Sequence, residues 1–281
     1  MSRIARYLRL ARLYNSLLPL LAVVAGYTVV RGNNPWTLLL TVLTLAVAHS
    51  LLTIWNDIED QEVDAYNGIT SIARMHGDGL YGGLLWTLLL ASILIFLASM
   101  FLPAPTALLF AGLMILGWMY NSEPIRASRR PVASMIILWL VYGVIPFAIG
   151  VSLGKVVWLA VLLGAAWSAG RVSLSLLKDY KDAPGDARSS KKTFLLVYGG
   201  KRVARLSILL AAIGYVGCAM ACFFHSPRIE LLVVVAIAGW LLHERTNLLH
   251  HRQYGQLNDV FHKCLHYQLI FDGMVVVWFS I

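Results

Sequence analysis

The chain has 281 residues, of which 59% are apolar and 13% charged, with a mean hydropathy of +0.71. A soluble domain carries roughly twice that charged fraction, so the composition excludes a soluble globular protein and points to an all-α polytopic membrane protein. The formal net charge of +9 is scattered over short segments between apolar runs, which argues against a nucleic-acid-binding face and leaves topology and anionic membrane lipid as its explanation.

The chain opens basic and then apolar, MSRIARYLRLARLYNSLLPLLAVVAGY. This has the outline of a signal peptide, but the apolar run is too long and no small-residue cleavage site stands out. It is read as the first span. Apolar runs of about 20 residues predict about nine spans: 13–31, 37–56, 84–102, 104–120, 133–152, 156–177, 206–224, 229–248 and 265–281. Only Pro103 and Pro105 divide the third from the fourth, and the last is the shortest. The short alternating strands of a porin-like barrel are not seen. With no linker or low-complexity tract, one integral domain over 1–281 is the economical reading.

Lys and Arg orient the spans. With the N-terminus cytoplasmic, Arg3, Arg6, Arg9, Arg12, Arg74, Arg126, Arg129 and Arg130 fall inside. So do Arg171 at the lower end of span six, the basic residues from Lys178 to Arg205, and Arg245, Arg252 and Lys263. Of the 23 Lys and Arg, only Arg31, Lys155 and Arg228 fall outside. The C-terminus then lies on the opposite side.

Span two ends in NDIEDQEVDAYNG, 56–68, and span six in KDYKDAPGDARSSKKT, 178–193. Asp57, Asp60 and Asp64 recur at one constant offset as Asp179, Asp182 and Asp186. Each triad stands at the cytoplasmic end of an even-numbered span. This suggests a duplicated four-helix unit with a ninth helix added. On a helix, positions i, i+3 and i+7 share a face, so each triad presents three carboxylates in one direction. Such a face repels itself, more strongly near lipid. Lys or Arg can relieve one triad, but two facing triads call for divalent metal. Oxygen-only ligands suit Mg²⁺, which keeps waters and shares its shell with phosphate. A single D-x-x-D at a helix end reads as a solvated cap; two matched copies beside Asn56 and Lys178 argue otherwise. Neither stretch has the alternating acids and sixth-place Gly of an EF-hand. An ion-coupled transporter more often keeps its acids near the bilayer midplane.

NDIEDQEVD resembles the N-D-x-x-D-x-x-x-D motif of the UbiA superfamily of intramembrane prenyltransferases, and KDYKDAPGD resembles its second, D-x-x-D-x-x-x-D motif. YNSEPIRASRRP, 120–131, is similar to the family's Y-S-x-P-P-x-R stretch between spans four and five. The resemblance covers essentially the whole chain. It implies a nine-helix bundle around a central cavity, and Mg²⁺-dependent transfer of an isoprenyl group from its diphosphate to a lipid or aromatic acceptor through a carbocation-like transition state. The alternative is a membrane terpene cyclase that uses the same ionisation without a separate acceptor. Residue by residue, Asn56, Asp57, Asp60 and Asp64 would serve one Mg²⁺, and Asp179, Asp182 and Asp186 a second, with Asp60 and Asp182 decisive for catalysis. Lys178, Arg126, Tyr120 and Arg130 would face the diphosphate, with Arg129, Lys191 and Lys192 as further cations. For the basic residues the competing reading is positive-inside topology. Tyr120 reads equally as part of the tail pocket or as an interface-belt residue. Arg12 and Asn15 match positions facing the acceptor pocket, although Asn15 also suits a helix cap. A carbocation wants a π-rich wall, for which Trp55, Trp118, Trp139, Tyr142 and Trp167 are available among many core and belt aromatics.

The chain also departs from the family pattern. Met75 replaces the Pro expected after Arg74, Ile125 replaces the second Pro of the Y-S-x-P-P-x-R stretch, and no Gly precedes Thr193. The metal–diphosphate half is intact and the acceptor half divergent, which leaves a lipid acceptor, an unusual small aromatic, or none. The stretch 243–266 holds five His and a Cys but no C-x-x-C or H-E-x-x-H spacing, so it reads as a loop and the foot of span nine and not as a zinc site. Asp272, inside the last span, is a functional candidate by its position alone. Its partner is not visible in the sequence.

Overall fold

The computed structural model describes residues 13–66, 81–188, 191–250 and 257–281. Arg12 and Arg74 lie outside these residues, and the side chains of Asn15 and Asp182 lie outside those described. Among the described residues every regular element is helical. In chain order they are α1 (Leu13–Val29), α2 (Pro35–Glu59), the short α3 (Gln61–Tyr66), α4 (Tyr81–Ser99), α5 (Ala104–Asn121) and a 3₁₀ turn (Ala127–Arg129). Then come α6 (Pro131–Trp139), a π turn (Leu140–Val144), α7 (Ile145–Val151), α8 (Trp158–Arg188), the short α9 (Phe194–Tyr198), α10 (Gly200–His225), α11 (Leu231–His250) and α12 (Leu257–Ser280).

Among the described residues, six stretches are long and apolar enough to cross a membrane: α2, α4, α5, α6 through α7, the Trp158–Tyr180 part of α8, and α10. Helix α1 is apolar over Ser16–Val29 but shorter. Helices α11 and α12 carry their polar residues toward one end, HERTNLLH at the end of α11 and LNDVFHKCLH at the start of α12. Trp86, Phe96, Phe101 and Leu108 are exposed on α4, α5 and their junction. That outward apolar surface suits hydrocarbon, because helices satisfy their own backbone there.

Local chemistry sets the helix starts. Asn34 caps α2, its Oδ1 accepting from the amides of Trp36 and Thr37 at 3.1 Å each, and Pro35 stands at the first turn, where its missing N–H costs nothing. Thr193 caps α9 the same way, accepting from Leu196 at 3.4 Å. Gly199, at φ 79°, turns the chain from α9 into α10. Pro146 cannot supply an N–H to the carbonyl of Tyr142, and the chain passes this point through the π turn Leu140–Val144.

The closest crossings use glycine, as helix pairs in membranes do. A Cβ on Gly150 of α7 would lie 2.0 Å from the Val23 carbonyl oxygen of α1, and one on Gly26 would lie 2.3 Å from the Phe147 carbonyl oxygen. Both obstacles are backbone. Gly150→Val is therefore expected to separate α1 from α7 and abolish folded expression, whereas Gly239→Ala on α11, with nothing within 4 Å, is neutral or slightly stabilising. Size-exclusion profiles of the two variants in detergent check this.

Arg171 and Arg245 are not surface charges: each is only 1% exposed. Arg171, mid-way along α8, pairs with Asp272 of α12. It also donates to the Leu18 carbonyl of α1 at 3.3 Å and lies 5.1 Å from the centre of the Trp167 ring. Gln268 donates to the other Asp272 oxygen at 2.9 Å. Arg245 of α11 donates to Ser207 at 3.3 Å, and Ser207 and Ser173 exchange bonds between α10 and α8. These charges escape burial costs only by pairing inside the bundle.

Candidate active site

The first acid triad sits where α2 ends. Asp60 is the residue after the helix, with φ −96° and ψ 10°, and α3 continues from Gln61. The break preserves the helical spacing, because the Asp60 amide still donates to Asn56 at 2.9 Å and the Asp64 amide to Asp60 at 2.8 Å. Asp57 and Asp60 are buried and Asp64 half-buried. The second triad lies on the continuous helix α8, where Asp179 is half-buried and Asp186 buried.

One cation joins the two motifs. Lys191 Nζ lies 3.1 Å from Asp60 Oδ2 and 3.7 Å from Asp186 Oδ1. Burial works against this ammonium, but Asp60, then Tyr120 and Asp186, outweigh it and hold the Lys191 pKa above the usual lysine value, with Lys178 opposing. Asn56 donates from Nδ2 both to Asp60 Oδ2 at 3.1 Å and to Asn121 Oδ1 at 2.9 Å. The same amide cannot turn its Oδ1 toward either partner, so that oxygen is left for another donor or a cation.

The loop after α5 braces this end of α2. Trp55 Nε1 donates to Ser122 Oγ at 2.9 Å, and Ser122 Oγ to Glu59 Oε1 at 3.3 Å. Arg126, held at a left-handed φ of 36°, donates from Nη2 to the Glu59 carbonyl at 2.9 Å and lies 3.8 Å from the Glu123 carboxylate. Its Nε is buried without a hydrogen bond. Arg126 thus closes the last turn of α2, one residue from Asp60. Tyr120 is half-buried beside Lys191, and Lys178 is half-buried on α8. Arg130 is exposed and stands before α6, outside this cluster.

Three contributors had no clear signal in sequence. Asn121 lies inside the quoted YNSEP stretch but shows its role only by meeting Asn56. Glu59 acts mainly through its carbonyl, which every residue has. His49, mid-way along α2, is buried against α1 and the π turn, yet a lone histidine in an apolar run carries no motif.

Among the described residues no three His, Cys, Asp or Glu converge tightly enough to enclose a metal ion by themselves. The set still fits Mg²⁺. Carboxylates from both motifs already surround one positive charge, the Lys191 ammonium, and the remaining donors are oxygens. Mg²⁺ is bound through one or two carboxylates, with waters and phosphate oxygens completing its shell.

Known proteins share the fold. The model of the UbiA prenyltransferase family matches residues 16–269. A digeranylgeranylglyceryl phosphate synthase of Methanospirillum hungatei JF-1 is 27% identical over 220 residues, which cover 75% of this chain and 74% of that protein. The structure of a UbiA homolog from Archaeoglobus fulgidus bound to GPP and Mg²⁺ superposes with a TM-score of 0.70 at 19% identity, over 97% of this chain and 99% of that one. A structure of digeranylgeranylglyceryl phosphate synthase superposes with a TM-score of 0.71 at 17% identity, over 100% and 99%. At these identities the solved structures establish a common fold.

Proposed function

The chain belongs to the UbiA prenyltransferase family and is a multi-pass membrane prenyltransferase, and on that footing we propose that it transfers an isoprenyl group from its diphosphate to a hydroxyl of a lipid of the prenylated glyceryl phosphate class. The curated relative is named for a product of that class. The observation that carries the reading is the convergence of Asp60 and Asp186 on the Lys191 ammonium: two distant motifs share one cation.

In this reading Asn56, Asp57, Asp60 and Asp64 hold one Mg²⁺ and Asp179, Asp182 and Asp186 a second. When bound, the metal neutralises diphosphate charge and so eases departure of the leaving group. Asn56 and Asn121 orient the carboxylates, and Lys191, Lys178 and Tyr120 are positioned to meet phosphate oxygens. The prenyl tail lies among the helices, where apolar side chains keep water from the allylic cation. The chain is read as one domain over 1–281, with nine spans, a four-helix repeat, a central cavity, a cytoplasmic N-terminus and active site, and the C-terminus on the opposite side.

Arg126 contributes through the end of α2. Arg126→Ala is expected to raise the KM for isoprenyl diphosphate about tenfold, the worth of one charge-assisted hydrogen bond, with little change in stability. Steady-state kinetics check this, and an unchanged KM removes Arg126 from the site.

The function itself is tested with purified protein, Mg²⁺ and labelled geranyl, farnesyl and geranylgeranyl diphosphates, with and without geranylgeranylglyceryl phosphate. Label entering an ether only when the acceptor is present supports transfer. Label entering a cyclic hydrocarbon or alcohol without acceptor, in a manner dependent on Asp60, identifies a cyclase instead.

A further inference from the structure

His49 is 2% exposed, mid-way along α2. It precedes Asn56 by two helical turns, so it shares the face that carries the first acid motif and lies about 10 Å deeper along the helix axis. Three elements fix its ring. Ser16 Oγ of α1 lies 3.1 Å from Nδ1. Tyr142 meets the ring edge-on, with centroids 4.9 Å apart and planes at 80°. Tyr142 owes its position to the π turn forced at Pro146. The third is α8, whose Lys178 is close enough for its charge to act on the imidazole. The second ring nitrogen, Nε2, makes no hydrogen bond among the described residues.

A hydroxyl acceptor creates a need that the acid motifs do not meet. Attack on an allylic carbon turns the acceptor oxygen into an oxonium that must lose its proton, and a hydrocarbon interior has no water to receive it. In this reading the motif carboxylates would be taken up by metal, and a metal-bound diphosphate is a weak base. A neutral imidazole held in one orientation below the diphosphate is a general base at the right depth.

Resting on the transfer reading above, we infer that His49 is the proton acceptor of the transfer step, taking the acceptor's hydroxyl proton at Nε2 while its Nδ1–H donates to Ser16 Oγ. The C1–O bond of the isoprenyl diphosphate breaks, and its electron pair leaves with the diphosphate. A lone pair of the acceptor oxygen forms the new bond to C1. The O–H bond breaks, its electrons stay on oxygen, and the proton passes to Nε2. The resulting imidazolium gives that proton to water that enters as the product and diphosphate leave, and returns to its neutral form. The base serves acceptors that must lose a proton on alkylation, here a hydroxyl; a thioether nucleophile gains nothing from it.

The test uses the full-length protein in nanodiscs, with labelled geranylgeranyl diphosphate, Mg²⁺ and geranylgeranylglyceryl phosphate as the hydroxyl probe. Ether formation is measured beside the affinity for a non-hydrolysable geranylgeranyl thiodiphosphate. His49→Gln, which keeps a polar side chain of similar reach, is expected to lower kcat for ether formation about a hundredfold while the analogue's Kd stays within twofold. Ser16→Ala, which frees the tautomer, is expected to lower kcat by roughly tenfold, and Ser16→Thr to restore it. His49→Gln with a kcat within threefold of wild type overturns the inference. Parallel loss of kcat and analogue binding also overturns it, because that is what a structural histidine would give. Wild-type protein that ionises the diphosphate but forms no ether overturns the transfer reading as well, and the wild-type arm alone shows this.

Discussion

Asp60→Asn is expected to lower turnover by about 10²–10³-fold, the cost of removing one preorganised group from a site of developing charge. Asp60 touches Asn56 and Lys191 together, and Lys191 carries the link to Asp186 of the second motif. The substitution preserves shape and removes charge. Asp60 also follows the last residue of α2 and does not sit in its packed middle, so the protein stays folded. Asp186→Asn is expected to act alike, and the double variant to lose little more than either single one, as groups working as a unit do. Initial rates of labelled product formation, with thermal melting as the folding control, measure both effects. A wild-type-like rate in either single variant refutes joint action of the motifs.

Asp272→Ala is expected to be the most destabilising charge removal in the bundle, costing about 3–5 kcal/mol. It strips Arg171 of its ion pair while leaving the guanidinium buried, with Nε and Nη1 already lacking hydrogen bonds. Gln268 loses its acceptor in the same step. The melting temperature in detergent is expected to fall by roughly 10 °C. Replacing both partners, Arg171→Met with Asp272→Leu, is expected to recover most of the loss, because no buried charge is then unpaired. A double variant no more stable than Asp272→Ala assigns the loss to packing and not to charge.

The helical class, the succession of apolar runs and the two acid motifs could be read from the chain, because each rests on spacing along one segment. The three-, four- and seven-residue spacings around Asp57 and Asp179 survive even the helix break at Asp60. What the sequence did not disclose depends on which helices meet, and at what height. Arg171 and Arg245 resembled collar residues because they lie near expected span ends, whereas their partners, Asp272 and Ser207, come from other helices. Asp272 was a candidate from its position alone, but no pattern could name Arg171 across so much chain. Asn121 and Ser122 gained meaning only where the α5 end meets the α2 end. Pro146 signalled an irregular helix without saying that it would take the form of a π turn and hold Tyr142 against His49. Lys191 stood among several basic residues, and only its contacts with Asp60 and Asp186 distinguish it from Lys192.

The claim that both acid motifs hold one metal–diphosphate group is tested most directly by the affinity for geranylgeranyl thiodiphosphate, measured with and without Mg²⁺ in wild type, Asp60→Asn and Asp186→Asn. The expected result is that Mg²⁺ tightens wild-type binding at least about tenfold, the equivalent of roughly 1.4 kcal/mol, and that either substitution abolishes this gain. Binding that is indifferent to Mg²⁺ in wild type, or an Mg²⁺ gain that persists undiminished in both variants, contradicts it.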